Sequence, residues 1–179
     1  MTVRGYGLRT VPATFRRAEP DDAEPLARLV IDGFETYRSF TPPGWEPPSL
    51  KAELDHLHHL LPDEQVWVLL AEEDGRLVGQ VGILPSLRHV HPGGGPSLMH
   101  FRNLFVAQDH WGSGLAVTLH AASVEETRRR GFTAMRLFTP ADHGRARRFY
   151  EREGWAQHAE PFDEPRLGMA LVEYRYALA

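Results

Sequence analysis

The chain contains no cysteine. That excludes a disulfide framework, thiolate metal sites and any mechanism passing through an acyl-cysteine, and it suits a cytoplasmic setting. It has little lysine, since Lys51 is the one lysine among 20 basic residues, a feature read as coding bias. It has no excess charge of one sign: the net charge is −4 and the sequence pI about 6.2, so neither nucleic acid nor an anionic membrane is expected as a partner. Long hydrophobic runs are missing too. The longest, Val66 to Ala71, is far too short to cross a bilayer, and the opening MTVRGYGLRTVPATFRR lacks an apolar signal core. What remains is 179 residues with 42% hydrophobic and 25% charged content, the make-up of one ordinary globular domain over residues 1–179, with residues 1–12 as a loose extension.

Patterning divides the chain into alternating elements. Ala13 to Ala18 reads as a short strand. The first helix follows, with Leu26, Leu29, Val30, Gly33, Phe34 and Tyr37 at helical spacing and Asp21 and Glu24 as its capping box. A second helix is predicted near Ser49 to Leu61, ending before Pro62. Val66 to Glu72 and Leu77 to Leu84 are strand-like runs joined by EDGR, whose Asp-Gly pair signals a hairpin. Leu98 to Val106 alternates as a strand, Gly112 to Arg130 as a third helix, Ala134 to Thr139 as a strand and ADHGRARRFYEREG as a fourth helix. Trp155 to Glu160 and Leu167 to Ala177 complete about seven strands and four helices. The expected class is α/β (α+β), a mixed and mostly antiparallel sheet flanked by helices.

One stretch asks for an explanation beyond folding. LFVAQDHWGSGLAVTLH places Gly112 and Gly114 at a helix start, where glycine lowers helix stability. The first amides of a helix lack internal partners and sit at the positive end of its dipole, so glycines that let an anion approach would make a phosphate site. Neither a P-loop nor a dinucleotide fingerprint is present, and a plain connecting turn is an equal reading of this stretch alone.

HGRARRFYEREGW shifts the balance. It places Ala146, Phe149 and Tyr150 on one helix face, followed by Gly154 and Trp155. Together with Val106, Gly112, Gly114 and Ala116 of the glycine turn, it resembles the two motifs of the GNAT N-acetyltransferases, and the similarity spans roughly Thr14 to Tyr176. Two positions depart: Trp111 stands where the family usually has Arg or Gln, and His143 where it usually has Asn. The resemblance implies a single GNAT-like domain and acetyl-CoA as cosubstrate, without a metal. The acetyl-CoA site would comprise Leu104, Phe105, Val106, Trp111, Gly112, Ser113, Gly114, Leu115, Ala116, His143, Ala146 and Phe149. Direct attack by an amine in a ternary complex follows, with a backbone amide near Phe105 and Val106 stabilising the oxyanion and Tyr150 protonating the leaving thiolate.

An alkyl ammonium is deprotonated in only about one molecule in a thousand at neutral pH, so a proton acceptor is needed. His100, on the same strand as Val106 and expected on the face of Arg102, Leu104 and Val106, is the candidate base, with a water relay as its rival; His89 and His91 rank below it. Phe34, Tyr37 and Trp45 are candidate walls of the acceptor site. His56, His58 and His59 do not have zinc spacing, and no metal is expected there. Arg128 to Arg130 suit a helix end, and among Arg145, Arg147 and Arg148 some could approach the 3'-phosphate of coenzyme A. Expected partners are a small-molecule or peptide amine, with a homodimer left open. A non-catalytic acyl-CoA sensor of the same fold is the alternative, raised by Trp111 and His143.

Overall fold

The structure, a computed structural model, describes residues 13–178; the expected loose extension 1–12 lies outside them. Strands β1 (Thr14–Arg17), β2 (Trp67–Glu73), β3 (Arg76–Pro85), β4 (Leu98–Val106), β5 (Ala134–Pro140), β6 (Ala156–Gln157), β7 (Phe162–Glu164) and β8 (Met169–Ala177) form a sheet of eight strands. Its order is β1-β2-β3-β4-β5-β8-β6, with β7 also on β8. Every pairing is antiparallel except β4 with β5. The helices are α1 (Ala23–Glu35), α2 (Leu50–Leu60), α3 (Leu115–Arg129) and α4 (Gly144–Arg152).

Local chemistry accounts for most boundaries. Asp74 and Gly75 both adopt positive φ, 50° and 74°, which gives the β2–β3 hairpin the turn twist that Asp-Gly favours. The start of α1 differs from expectation: Asp22, not Asp21, accepts the Glu19 amide at 2.7 Å, because a 3-10 turn over Pro20–Asp22 precedes the helix. Asp22 also takes both terminal nitrogens of Arg16, pinning the helix to β1. In the last third, only Ala156–Gln157 of the expected strand Trp155 to Glu160 pairs, and Phe162–Glu164, expected as loop, forms a strand on β8.

Apolar cores lie on both faces of the sheet. Phe101, Leu115, Leu119, Met135, Tyr150 and Trp155 belong to the one beneath α3 and α4, and Leu26, Val30, Leu57 and Leu70 to the one beneath α1 and α2. The close seat of α1 requires Gly33, where a Cβ would fall 2.2 Å from the Phe105 ring.

Two irregularities of β4 shape everything that follows. Pairing with β3 shifts register between Gln80 and Gly82, opposite Asn103, whose φ of 50° marks a bulge. An extra residue inverts the alternation. Before the bulge Met99 and Phe101 face the α3 core, and after it Leu104 and Val106 do. His100 and Arg102 therefore do not share a face with Leu104 and Val106, correcting the period-2 expectation. The second irregularity is that β4 pairs with β5 only from Leu98 to His100, against Ala134 to Arg136. Beyond His100 the two strands separate and leave a wedge.

Candidate active site

The wedge opens into a cleft of about 1840 Å³ that reaches from the glycine turn to the α1–α2 side. That exceeds the volume of an ordinary small-ligand pocket and leaves room for two substrates. Leu104, Phe105, Val106, Trp111, Gly112, Gly114, Leu115, Ala116, His143, Ala146, Phe149 and Tyr150 all line it. Ser113 completes the turn between the two glycines.

The turn is held from behind. His110 bonds Glu73 at 2.6 Å and Asp109 at 2.8 Å, and Asp109 pairs with Arg76, so the β2–β3 hairpin braces it. Bonds to Asp109 and Glu73 raise the pKa of His110. Gly112 and Gly114 have φ of 83° and 87°, and a Cβ at either would meet nothing within 4 Å. Crowding does not demand glycine here; the left-handed backbone does, and the space above stays clear. The helix begins at Leu115, with Gly114 as its cap rather than its first turn. Among the described residues the amides of Gly112, Gly114, Ala116 and Val117 have no hydrogen-bond acceptor, whereas those of Ser113, Leu115 and Thr118 do. Four unsatisfied donors facing open space suit a diphosphate.

Trp111 does not imitate the Arg or Gln it replaces. Its indole N–H donates to the Val106 carbonyl at 2.9 Å, and the Arg145 guanidinium lies 3.4 Å from the ring centre. Arg145 and Arg148 have no carboxylate partner among the described residues. Arg147, by contrast, is structural, bonded to the Tyr174 hydroxyl, the Ala141 carbonyl and Gln157, which removes it from the expected phosphate group.

Tyr150 is 8% exposed, edge-on to Phe101 and Phe149, and its hydroxyl has no hydrogen-bond partner among the described residues. Burial raises its pKa, with a smaller contribution from Tyr37. His143 is the residue before α4 and makes no capping bond; its ring lies against Tyr37 and Phe40, at centroid distances of 5.2 and 4.8 Å. Of the three candidate wall residues, Phe34 and Tyr37 line the cleft, 5.2 Å apart, and Trp45 packs against Tyr37 at 6.2 Å without lining it. Trp45 donates to the Leu167 carbonyl at 2.7 Å, tying this wall to the turn before β8.

His100 is 3% exposed, its ring centroid 3.8 Å from that of His89 with the rings tilted by 36°, and among the described residues its Nδ1 has no partner. Burial pushes its pKa well below the histidine range, contrary to the pKa suited to neutral pH that a base at this position would have. The loop carrying His89 and His91 is anchored: Arg136, fully buried on β5, donates to the carbonyls of Ser86, His91 and Pro92. Sequence reasoning gave no site role to Arg136, or to Glu53, His56 and Arg102, which α2 and β4 bring to the cleft wall. No local pattern marks contacts between residues so far apart in the chain.

Burial lowers the pKa of His89 to about 3 and of His143 to about 4. With His100, these imidazoles stay neutral in the folded chain while the unfolded chain takes up protons below about pH 6.5. Their contribution is therefore complete above pH 6.5 and lost as pH falls through it, by up to about 1.4 kcal/mol per histidine per pH unit. Denaturant midpoints at pH 7.5 and 5.0 check this, with the lower midpoint expected at pH 5.0.

The chain belongs to the GNAT family of acetyltransferases, whose family model matches residues 31–155. It is thus an acyltransferase, and the non-catalytic sensor is not favoured. Solved structures share the fold. A GNAT-family protein from Desulfovibrio desulfuricans is 24% identical over 93% of this chain and 99% of its own, with a TM-score of 0.69. The PaiA N-acetyltransferase from Thermoplasma acidophilum, solved with coenzyme A, is 15% identical over 93% and 100%, with a TM-score of 0.70. A GNAT-family acetyltransferase from Staphylococcus aureus is 12% identical over 93% and 99%, with a TM-score of 0.72. Comparison with the curated proteins gave no match. Among the described residues no helix is long and apolar enough to cross a membrane.

Proposed function

We propose that the chain transfers an acetyl group from acetyl-CoA to a small-molecule or peptide amine in the cytoplasm, by direct attack within the β4–β5 wedge. The observation that carries this reading is the set of four unsatisfied amides at the glycine turn, opening onto the same wedge as the unpaired Tyr150 hydroxyl. Bound acetyl-CoA would supply the thioester, which is the activated acyl group.

The protein's own groups divide the work. The amides of Gly112, Gly114, Ala116 and Val117 hold the diphosphate. Arg145, stacked on Trp111, supplies the positive charge that Trp111 itself lacks. The edge of β4 left free by β5 offers backbone groups to an extended pantetheine arm. Because the Ala107 amide is bonded to the Val78 carbonyl, strand alternation turns the Val106 N–H away from β3, toward the wedge. That amide is the donor for the acyl carbonyl as charge develops there. The aromatic wall of Phe34, Tyr37 and His143, backed by Trp45, excludes bulk water. Tyr150, held protonated by burial, gives its proton to the departing thiolate.

The amine's proton leaves through water in the cleft rather than to His100, which lines the cleft but is only 3% exposed and lies close against His89. His100→Ala should then keep the rise of kcat/KM between pH 6 and 9, as measured with a single amine; loss of that limb would reinstate His100 as the base. Free thiol released from acetyl-CoA across an amine panel tests the whole reading. Amine-dependent release supports it, and coenzyme A binding without release from any amine would contradict it.

A further inference from the structure

On the α2 side of the cleft one cation forms no ion pair among the described residues. Arg88 is paired with Asp63, Arg166 with Glu164, and Arg136 is occupied by loop carbonyls. Arg102 bonds only His56, Nη1 to Nε2 at 2.9 Å, and among the described residues no carboxylate lies within ion-pair distance of it. Its partner is neutral: burial and the charge of Arg102 lower the His56 pKa to about 4. Glu53 is close enough for Arg102 to feel its charge, yet one of its oxygens is buried without any partner.

The placement of Arg102 is built in. Its stem lies over Gly82, where a Cβ would fall 3.1 Å from the Arg102 Cγ. It sits at the bulge of β4, four residues from Val106, at the level where β5 has already diverged. A half-desolvated guanidinium with open donors is costly unless a ligand completes it, and its planar fork matches a carboxylate. Resting on the acetyl-transfer reading above, we propose that the acceptor is an amine that also carries a carboxylate, an amino acid in the broad sense, whose carboxylate is held by Arg102 with His56 behind it. The amine is thereby turned toward Val106 and the aromatic wall.

The probe is a panel of α- and ω-amino acids, each paired with its methyl ester, which removes the negative charge; the two are compared per free-base amine, because the ester lowers the pKa of a neighbouring amine. Thiol release from acetyl-CoA gives kcat/KM for each member. The parent protein should favour at least one free acid over its ester by about tenfold or more. Arg102→Gln should abolish that preference by lowering kcat/KM for the free acid about tenfold more than for its ester, with coenzyme A affinity unchanged, and Arg102→Lys should restore part of it. Esters matching or exceeding every free acid in the parent, or Arg102→Gln lowering acid and ester alike, would overturn the assignment. Turnover of neutral amines alone would overturn it and leave acetyl transfer standing. Failure to bind coenzyme A would instead bring down the underlying reading.

Discussion

Tyr150→Phe is expected to lower kcat by about 100-fold while leaving coenzyme A affinity and folding stability nearly unchanged. Removing one oxygen from a ring packed against Phe101 and Phe149 leaves its shape intact, and among the described residues that hydroxyl has no partner to lose. Without the phenol, the leaving thiolate must draw its proton from water. The effect should concentrate in kcat because the lost interaction forms only as the carbon–sulfur bond breaks. Steady-state thiol release and calorimetric titration with coenzyme A separate the two quantities. An unchanged kcat would reduce Tyr150 to a core aromatic at helical spacing. Its raised pKa adds a second expectation: the parent should show no loss of activity from ionised Tyr150 below about pH 10.

Gly114→Val is expected to weaken coenzyme A binding by about 100-fold or more, since it disturbs several charge-assisted bonds at once. At a φ of 87° a β-branched residue is strained, which should also cost about 1–2 kcal/mol of stability. The new side chain would occupy the space that a Cβ finds clear above the turn. A comparison substitution at Gly131, where φ is 79° at the far end of α3, carries the same backbone strain away from the cradle. Gly131→Val should lose comparable stability and keep its coenzyme A affinity. Equal weakening in both variants would mean that backbone strain, not the cradle, explains the loss.

The sequence disclosed those features that a local pattern can carry. Gly112 and Gly114 announced the turn because left-handed backbone selects glycine, and Asp74–Gly75 announced the hairpin for the same reason. Tyr150, Ala146 and Phe149 were legible through helical spacing and the family resemblance, and the structure brings all three to the cleft. The face of His100 was not legible. The bulge at Asn103 inserts one residue into a period-2 pattern, and nothing in LMHFRNLFV reveals where the count breaks. Trp111 put a side-chain contact to the diphosphate in doubt, and no local pattern shows that Arg145, proposed above as the compensating charge, arrives from α4 and stacks on it in three dimensions. The bond between Arg102 and His56 likewise joins α2 to β4 across the fold. The three-residue strand β7 was hidden between Pro161 and Pro165, where loop chemistry dominates the local signal.

The most direct measurement of the central claim compares binding of coenzyme A with that of pantetheine, which keeps the thiol arm but has no diphosphate. With the free amides of the turn holding the phosphates, coenzyme A should bind the parent protein at least about 100-fold more tightly than pantetheine, and the gap should narrow as salt rises. Equal affinity for the two, or no binding of coenzyme A at millimolar concentration, would contradict the account.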